Sequence, residues 1–380
     1  MSKTKSIYDP LHGFITITPL MQQIIDTPEF QRLRDIKQLG ATYYVFPSAT
    51  HTRFEHSIGV SYLAGLMTQT LQKNQPDIDI TDRFIELVRI AGLVHDIGHG
   101  PFSHLYDHYI IDAGEDEHEE RGKKIFQDIV IKYDIELAPE ETELIIDMVH
   151  PNDRQIYNWK YQIVANSRSQ IDVDKLDYIQ RDCYHLGMKF GGEYSRLIHE
   201  VRICDTEDGT QELAWPEKLQ FEIFAMFTTR YRLHKQVYHH HTVKAYEYLI
   251  INILKRIKDS IKPDFLLLTD SIVTCRYHSS SLDIQNRIAT RNIPKLIEEN
   301  VYLTIDKTIA PGIKYDIKNK TIKDTVRIGF TSGSGENPLN SVLYYSKRDS
   351  PIVAHAQHSH KNSFMIPLHH QELLVRIYTI

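Results

Sequence analysis

Cysteine is scarce and unpaired in this chain: Cys183, Cys204 and Cys275 are the only ones in 380 residues, and no two are spaced as Cys-x-x-Cys. That leaves neither a disulfide framework nor a thiolate metal site, and a reduced compartment is the simpler reading. Long apolar runs are missing too. Met1-Ser2-Lys3-Thr4-Lys5-Ser6 has no apolar signal region, and no later stretch is apolar for long enough to span a bilayer, so a cytoplasmic or nuclear location away from membranes is expected. Nor is there an excess of charge of one sign, since 44 Lys and Arg against 50 Asp and Glu leave a net charge of −6. Nucleic acid is therefore not indicated as a partner, and a polyphosphate would have to be met by individually placed cations. With 41% hydrophobic and 25% charged residues, the composition is that of a globular protein whose length allows a large core and more than one simple domain.

What is present is a concentration of histidine and carboxylate. His95-Asp96 sets an imidazole beside a carboxylate, after an apolar helical run and just before Gly98-His99-Gly100-Pro101. Two such donors can face one divalent metal, as a metal-dependent phosphohydrolase requires. The dipeptide alone is unspecific, but its company is not. Arg53-Phe54-Glu55-His56 lies upstream, His104, Asp107 and His118-Glu119 follow, and Ile171-Asp172-Val173-Asp174-Lys175 lies downstream.

Apolar residues recur at helical spacing from Phe54 to Leu71, and Thr81-Asp82 can cap a second helix running through Val94. His56 thus opens one helix and His95-Asp96 closes another, while Gly98, Gly100 and Pro101 break the second and put His99 and His104 on a turn. The spacing predicts a third helix from Ile171 to Leu186, with Asp174, Tyr178 and Asp182 on a polar face beside Lys175. An amphipathic tract from Leu219 to Ile257 is interrupted by Arg230, His234, Tyr238 and His239-His240-His241. Farther on, Thr325 to Phe330 and Val342 to Tyr345 read as short strands separated by a loop or hairpin signal. The expected fold is mainly α, with a helical catalytic core and N-terminal regulatory segment over 1–260 and a smaller C-terminal α+β lobe over 261–380.

The segments Ile7 to Gly13, Arg32 to Gly40, Tyr44 to Pro47, Arg53 to Val60, Ala91 to His104 and Ile171 to Asp182 closely resemble the HD-domain deoxynucleoside triphosphate triphosphohydrolases. Within that family the likeness is to the catalytic core of members that join a sterile alpha motif to the HD domain. It is dense over residues 5–250, and no sterile alpha motif is expected before residue 5. The resemblance implies release of the whole triphosphate from a dNTP. It carries over His56, His95, Asp96 and Asp174 as metal ligands. That mixed donor set suits Fe, Mn, Zn or Ni, with Mg expected to accompany the nucleotide. It also makes His104 the general acid, oriented or polarised by His99, Asp107 and His118. Arg53, Lys175, Tyr178 and Arg230 match phosphate-binding positions. Gln38 and Asp182 match those holding the sugar 3′-OH, and Leu39 and Tyr238 match those packed near C2′.

The resemblance further implies regulatory sites in a homo-oligomer, from dimer to tetramer. Lys5, Asp26, Gln31, Arg34, Arg291 and Lys295 match a guanine-specific activator site for GTP or dGTP. Val45, Phe46, Arg196, Lys218 and Lys347 match parts of an adjoining deoxynucleotide site, where Tyr8, Pro216 and His241 depart from the family's asparagine, arginine and lysine. Two rival readings are an HD phosphodiesterase for another nucleotide and a nucleotide-sensing or nucleic-acid-binding scaffold with little turnover. The cyclic-dinucleotide enzymes commonly carry Lys at the position of His99 and a Gly-Tyr-Pro signature that is absent here, and alarmone hydrolases place a carboxylate pair where this chain has Gly100-Pro101-Phe102. Turnover separates the scaffold.

Overall fold

The computed structural model describes residues 4–112, 116–275, 279–303, 311–316, 318–331, 336–346, 348, 352–356 and 369–380. At the amino end, β1 (Lys5–Asp9) and β2 (Gly13–Ile17) form an antiparallel hairpin. Two Thr-Pro steps then start short helices. Thr18 caps α1 (Pro19–Ile25) and Thr27 caps α2 (Pro28–Gln31), each hydroxyl accepting from a first-turn N–H, with proline where no N–H is needed.

Thr52 sets the start of the longest helix, α3 (Arg53–Asn74), in a capping box with Glu55, whose carboxylate accepts from the Thr52 N–H at 3.0 Å. Most of α3 is buried on all sides, as befits a central core helix. It packs against α4 (Asp82–Val94), which Thr81 caps as the sequence predicts, and later against α8. Between them come α5 (His104–Tyr109), α6 (His118–Lys132) and α7 (Pro139–Val149). The third predicted helix is α8 (Val173–His185), capped by Asp172, and α9 (Ser195–His199) follows. His104 opens α5 instead of lying in a turn.

The tract from Leu219 is two helices. α10 (Gln220–Leu233) runs into a π-helical turn, His234–Tyr238, and after a break α11 (His241–Ile261) continues. A single continuous helix would carry Arg230 and Tyr238 on its own period; the widened turn re-aims Tyr238. Beyond α11 lie α12 (Ser271–Thr274) and α13 (Leu282–Ala289).

The two strands expected near residues 325–345 do not form a hairpin. The first belongs to β7 (Thr321–Gly329), in an antiparallel sheet ordered β5-β10-β7-β6 with β5 (Leu296–Leu303), β6 (Gly312–Asp316) and β10 (Gln371–Thr379). The second is β8 (Leu343–Tyr345), which with β9 (Val353–Ala356) closes a small four-stranded barrel on β3 (Arg202–Thr206) and β4 (Gln211–Pro216). Among the described residues no helix is long and apolar enough to cross a membrane.

Candidate metal centre and cleft

Three helix ends supply the centre. His56 sits in the first turn of α3, His95 follows the last residue of α4, and Asp174 lies in the first turn of α8. Their donor atoms converge: His56 Nε2 and His95 Nε2 lie 3.0 and 3.5 Å from Asp174 Oδ1. The far nitrogens are already held, His56 Nδ1 by the Asp177 carboxylate at 2.8 Å and His95 Nδ1 by the Gly92 carbonyl at 2.8 Å. Both rings therefore turn Nε2 inward, which is how outer groups orient metal-binding histidines. His95 Nε2 is buried with no hydrogen-bond partner among the described residues. Asp96, the fourth expected ligand, lies beside this group: its Oδ2, which the Arg53 guanidinium bonds, is 3.7 Å from His56 Nε2, and its Oδ1 is 3.5 Å from His95 Nε2 and 3.2 Å from His99 Nε2.

The electrostatics match that packing. Burial would lower the His56 pKa, but its bonds to Asp174 and Asp177 outweigh it and push it up to about 10. Burial would raise Asp96 and Asp174, yet Arg53 and the histidines hold them well below the usual carboxylate range. An inward-facing, orphaned ring nitrogen amid ionised carboxylates fits a divalent cation.

Beside it lies a second group, His99, His104, Asp107 and His118, whose donor atoms lie within 4.8 Å of one another. His99 and His118 stack at 4.2 Å, and the Asp107 carboxylate bonds Arg121 and lies 2.9 Å from His118 Nδ1, as an ion-pair contact outside hydrogen-bond geometry. His104 remains exposed to the cleft, 5.2 Å from the His99 ring. Desolvation by its surroundings, then Arg53 and His118, push its pKa down to about 4. The turn before it carries Phe102 and Ser103 at φ of 56° and 57°, a conformation that costs non-glycine residues about 1–3 kcal/mol each. Asp270 steadies that turn by accepting the Phe102 N–H at 2.8 Å.

The other predicted site residues fall into connected groups. Arg53 bonds Ser103 Oγ at 2.8 Å as well as Asp96. Lys175 pairs with Asp172 at 2.9 Å, and it lines, with His95, Asp96, His118 and Asp174, a cavity of about 400 Å³. Arg230 donates to Tyr178 Oη at 3.1 Å and to the Gly329 carbonyl at 2.8 Å. Tyr238 Oη donates to Asp182. Gln38 donates its backbone N–H to the His51 carbonyl at 3.0 Å, and Leu39 follows it, half-buried.

The predicted regulatory residues are more scattered. Gln31 and Arg34 touch at 2.8 Å, Arg34 lies over the Phe54 ring at 3.5 Å, and Asp26 is exposed at the end of α1. Lys5 is exposed on β1, whereas Arg291 and Lys295 are exposed beyond α13; no hydrogen bond or ion pair joins these groups among the described residues. Val45 and Phe46 are half-buried, Arg196 pairs with Glu222, and Lys218 pairs with Glu200 at 2.5 Å. Lys347 lies outside the described residues.

Several groups at the site are absent from the sequence reading. Asp177 and Arg181 are fully buried partners, and Asp177 also accepts from His12 at 2.7 Å. A carboxylate one turn after Asp174 was the available signal, masked because it lies off the polar stripe. His51 bonds Asp182 at 2.7 Å. His234, noted in the sequence only as an interruption of the tract, stands edge-on to Tyr238 with ring centroids 4.9 Å apart, a neighbour that the π-turn creates.

Residues 53–182 match the HD domain family. The chain is 34% identical to the deoxynucleoside triphosphate triphosphohydrolase SAMHD1 of Gallus gallus, covering 98% of this chain and 72% of that protein. It is 32% identical to the human protein of the same name, with 98% and 70% covered. A putative HD domain-containing protein, L394, of Acanthamoeba polyphaga mimivirus is 38% identical over 90% of this chain and 78% of its own.

Proposed function

Because this chain belongs to the HD-domain deoxynucleoside triphosphate triphosphohydrolases, we propose that it hydrolyses dNTPs to deoxynucleoside and inorganic triphosphate at the cleft described above. The observation that carries this reading is the convergence of two pinned imidazoles and Asp174 beside a second histidine-carboxylate group. His56, His95, Asp96 and Asp174 would hold the divalent metal that an HD domain implies, and Fe, Mn, Zn or Ni suit these donors. When bound, the metal supplies Lewis-acid polarisation of a phosphoryl oxygen.

The chain's own residues do the rest. Arg53, Lys175, Arg230 and Tyr178 offer donors to the triphosphate, offsetting the repulsion that Asp96 and Asp174 would otherwise exert. Water adds at the α-phosphorus, the bond from that phosphorus to O5′ breaks, and O5′ needs a proton to leave. His104 gives it. With a pKa near 4 in the free protein, His104 is neutral at pH 7, and a polyanion beside it reverses the effect of Arg53 and favours its protonated form. Asp107 pairs with His118, and Gly122 packs against Gly98, so the acid group and the His95-Asp96 turn move as one. Gln38 and Asp182 take the 3′-OH, while Leu39 and Tyr238 leave no room for a 2′-OH.

GTP or dGTP activation through a homo-oligomer is part of the proposal. Gln31 bonds Arg34 at 2.8 Å and the Ile25 carbonyl next to Asp26 at 2.7 Å, far in sequence from Arg291 and Lys295, and a ligand touching both sets across two subunits would favour assembly by mass action. Incubation with each dNTP and Mn, with and without GTP, tests the whole reading when triphosphate is resolved from pyrophosphate and mass is followed by light scattering. Triphosphate release that Asp96→Asn abolishes, and a joint rise of mass and rate with GTP, are expected. No turnover leaves the scaffold reading; turnover indifferent to GTP removes only the activation.

A further inference from the structure

His51 is buried, and its two ends reach two residues that sequence places thirteen positions before it and far beyond it: its carbonyl accepts the Gln38 N–H at 3.0 Å, and its Nε2 meets Asp182 Oδ1 at 2.7 Å. His51 Nδ1 has no partner among the described residues, so the ring proton sits on Nε2 and Asp182 accepts it. The other Asp182 oxygen accepts from Tyr238 Oη. The His51 ring lies flat on His185, with centroids 4.4 Å apart and planes 9° apart, and His185 Nε2 is 3.3 Å from Glu55 Oε2 in the capping box of α3. The Gln38 side-chain carbonyl is buried and unpartnered, an acceptor that faces no protein donor among the described residues.

We infer that His51 is a positioning residue for recognition of the substrate's 3′-hydroxyl, fixing the Asp182 carboxylate through its ring and the Gln38 backbone through its carbonyl and, through Asp182, holding the Tyr238 ring that closes the 2′ side. This rests on the proposed dNTP reading. A carboxylate with one anchored oxygen on each side cannot rotate, and each oxygen keeps one lone pair for a sugar hydroxyl. His51 also lies two residues before Arg53 and five before His56, so the same short segment carries the sugar, phosphate and metal contacts at fixed spacing. A substrate lacking the 3′-OH leaves the buried Gln38 carbonyl unsatisfied, and a site with an unmatched polar group is the kind that discriminates most strongly.

The test compares dATP with 2′,3′-dideoxyATP. His51→Phe keeps a flat ring on His185 and removes the N–H; it should cut kcat/KM for dATP by roughly 10- to 100-fold and collapse the dATP-to-dideoxyATP ratio towards one, chiefly through KM. His51→Gln, which restores a donor, should recover much of the ratio. In the wild-type protein, the His51 ring N–H resonance should shift on adding deoxyadenosine and stay put with dideoxyadenosine, a readout that needs no variant to fold. An equal loss on both substrates, no loss, or a resonance blind to the 3′-OH would overturn the inference. A wild-type enzyme that releases triphosphate without preferring a 3′-OH removes the sugar assignment while sparing the hydrolase reading; one that releases none removes the hydrolase reading itself.

Discussion

Replacing Asp177 by Asn should weaken the metal centre without touching any ligand. The Asp177 carboxylate accepts four bonds: His56 Nδ1 at 2.8 Å and Arg181 Nε at 2.8 Å on Oδ2, and His12 Nε2 at 2.7 Å and Arg181 Nη2 at 2.9 Å on Oδ1. An asparagine has one acceptor oxygen, so either orientation turns its NH2 group on two donors. Each buried group left unsatisfied costs about 1–3 kcal/mol. Arg181 keeps Asp9 at 2.8 Å, so the strain falls mainly on the histidines. If His56 loses its anchor, the outer-group effect on metal affinity is about 10- to 100-fold, or roughly 1.4–2.8 kcal/mol. Titrating metal-free protein with Mn against a competing chelator, with melting curves alongside, measures both parts. A folded Asp177→Asn protein whose Mn affinity stays within twofold of wild type would refute the assignment of Asp177 as the group that aims His56.

Two further outcomes follow from the geometry. The His56 pKa is raised from 6.5 to about 10 in the metal-free protein; its proton-linked stability is therefore complete below pH 6.5 and lost as pH rises through 10. Metal-free protein should melt at falling temperature across that window while metal affinity climbs as proton competition fades, and an affinity flat with pH would contradict the shift. For Gly98→Ala, the new Cβ would lie 1.9 Å from the His118 carbonyl oxygen and 2.5 Å from the Gly122 nitrogen, backbone atoms that cannot swing aside. A loss of about 1–3 kcal/mol in stability with a lower kcat is expected, and an unchanged melting midpoint and rate would show that α6 does not brace this turn.

The parts of the site written as local pattern were readable in the sequence. Thr81 before an apolar period gave α4, Asp174 with Tyr178 and Asp182 gave the polar face of α8, and the glycines after His95-Asp96 gave the break. What pins those groups was not readable, because it comes from distant segments. Asp177 answers to His12 and Asp270 to Phe102, separations of 165 and 168 residues that leave no periodic trace. The π-turn at His234–Tyr238 was hidden for another reason: it differs from an α-helix by the length of one hydrogen-bonded ring, and side-chain spacing reads the same over so few residues. The expected hairpin failed because short apolar runs specify a strand but not its neighbour, and β8 found β4 and β9 instead of β7.

The Arg230 guanidinium donates to the carbonyl of Gly329, and β8 and β9 close their barrel on β3 and β4 from far along the chain, Tyr344 pairing with Trp215 and Val353 with Asp205. During synthesis, α10 and the candidate metal-site residues leave the ribosome well before β7, whose Gly329 meets Arg230. The nascent chain must hold an unfinished β3–β4 pair, with open edges, until residue 356 emerges. A premature stop after α11 would spare the whole histidine and aspartate series and still remove the brace behind Arg230, so damage to the last third of the message should silence the cleft as surely as damage to the first.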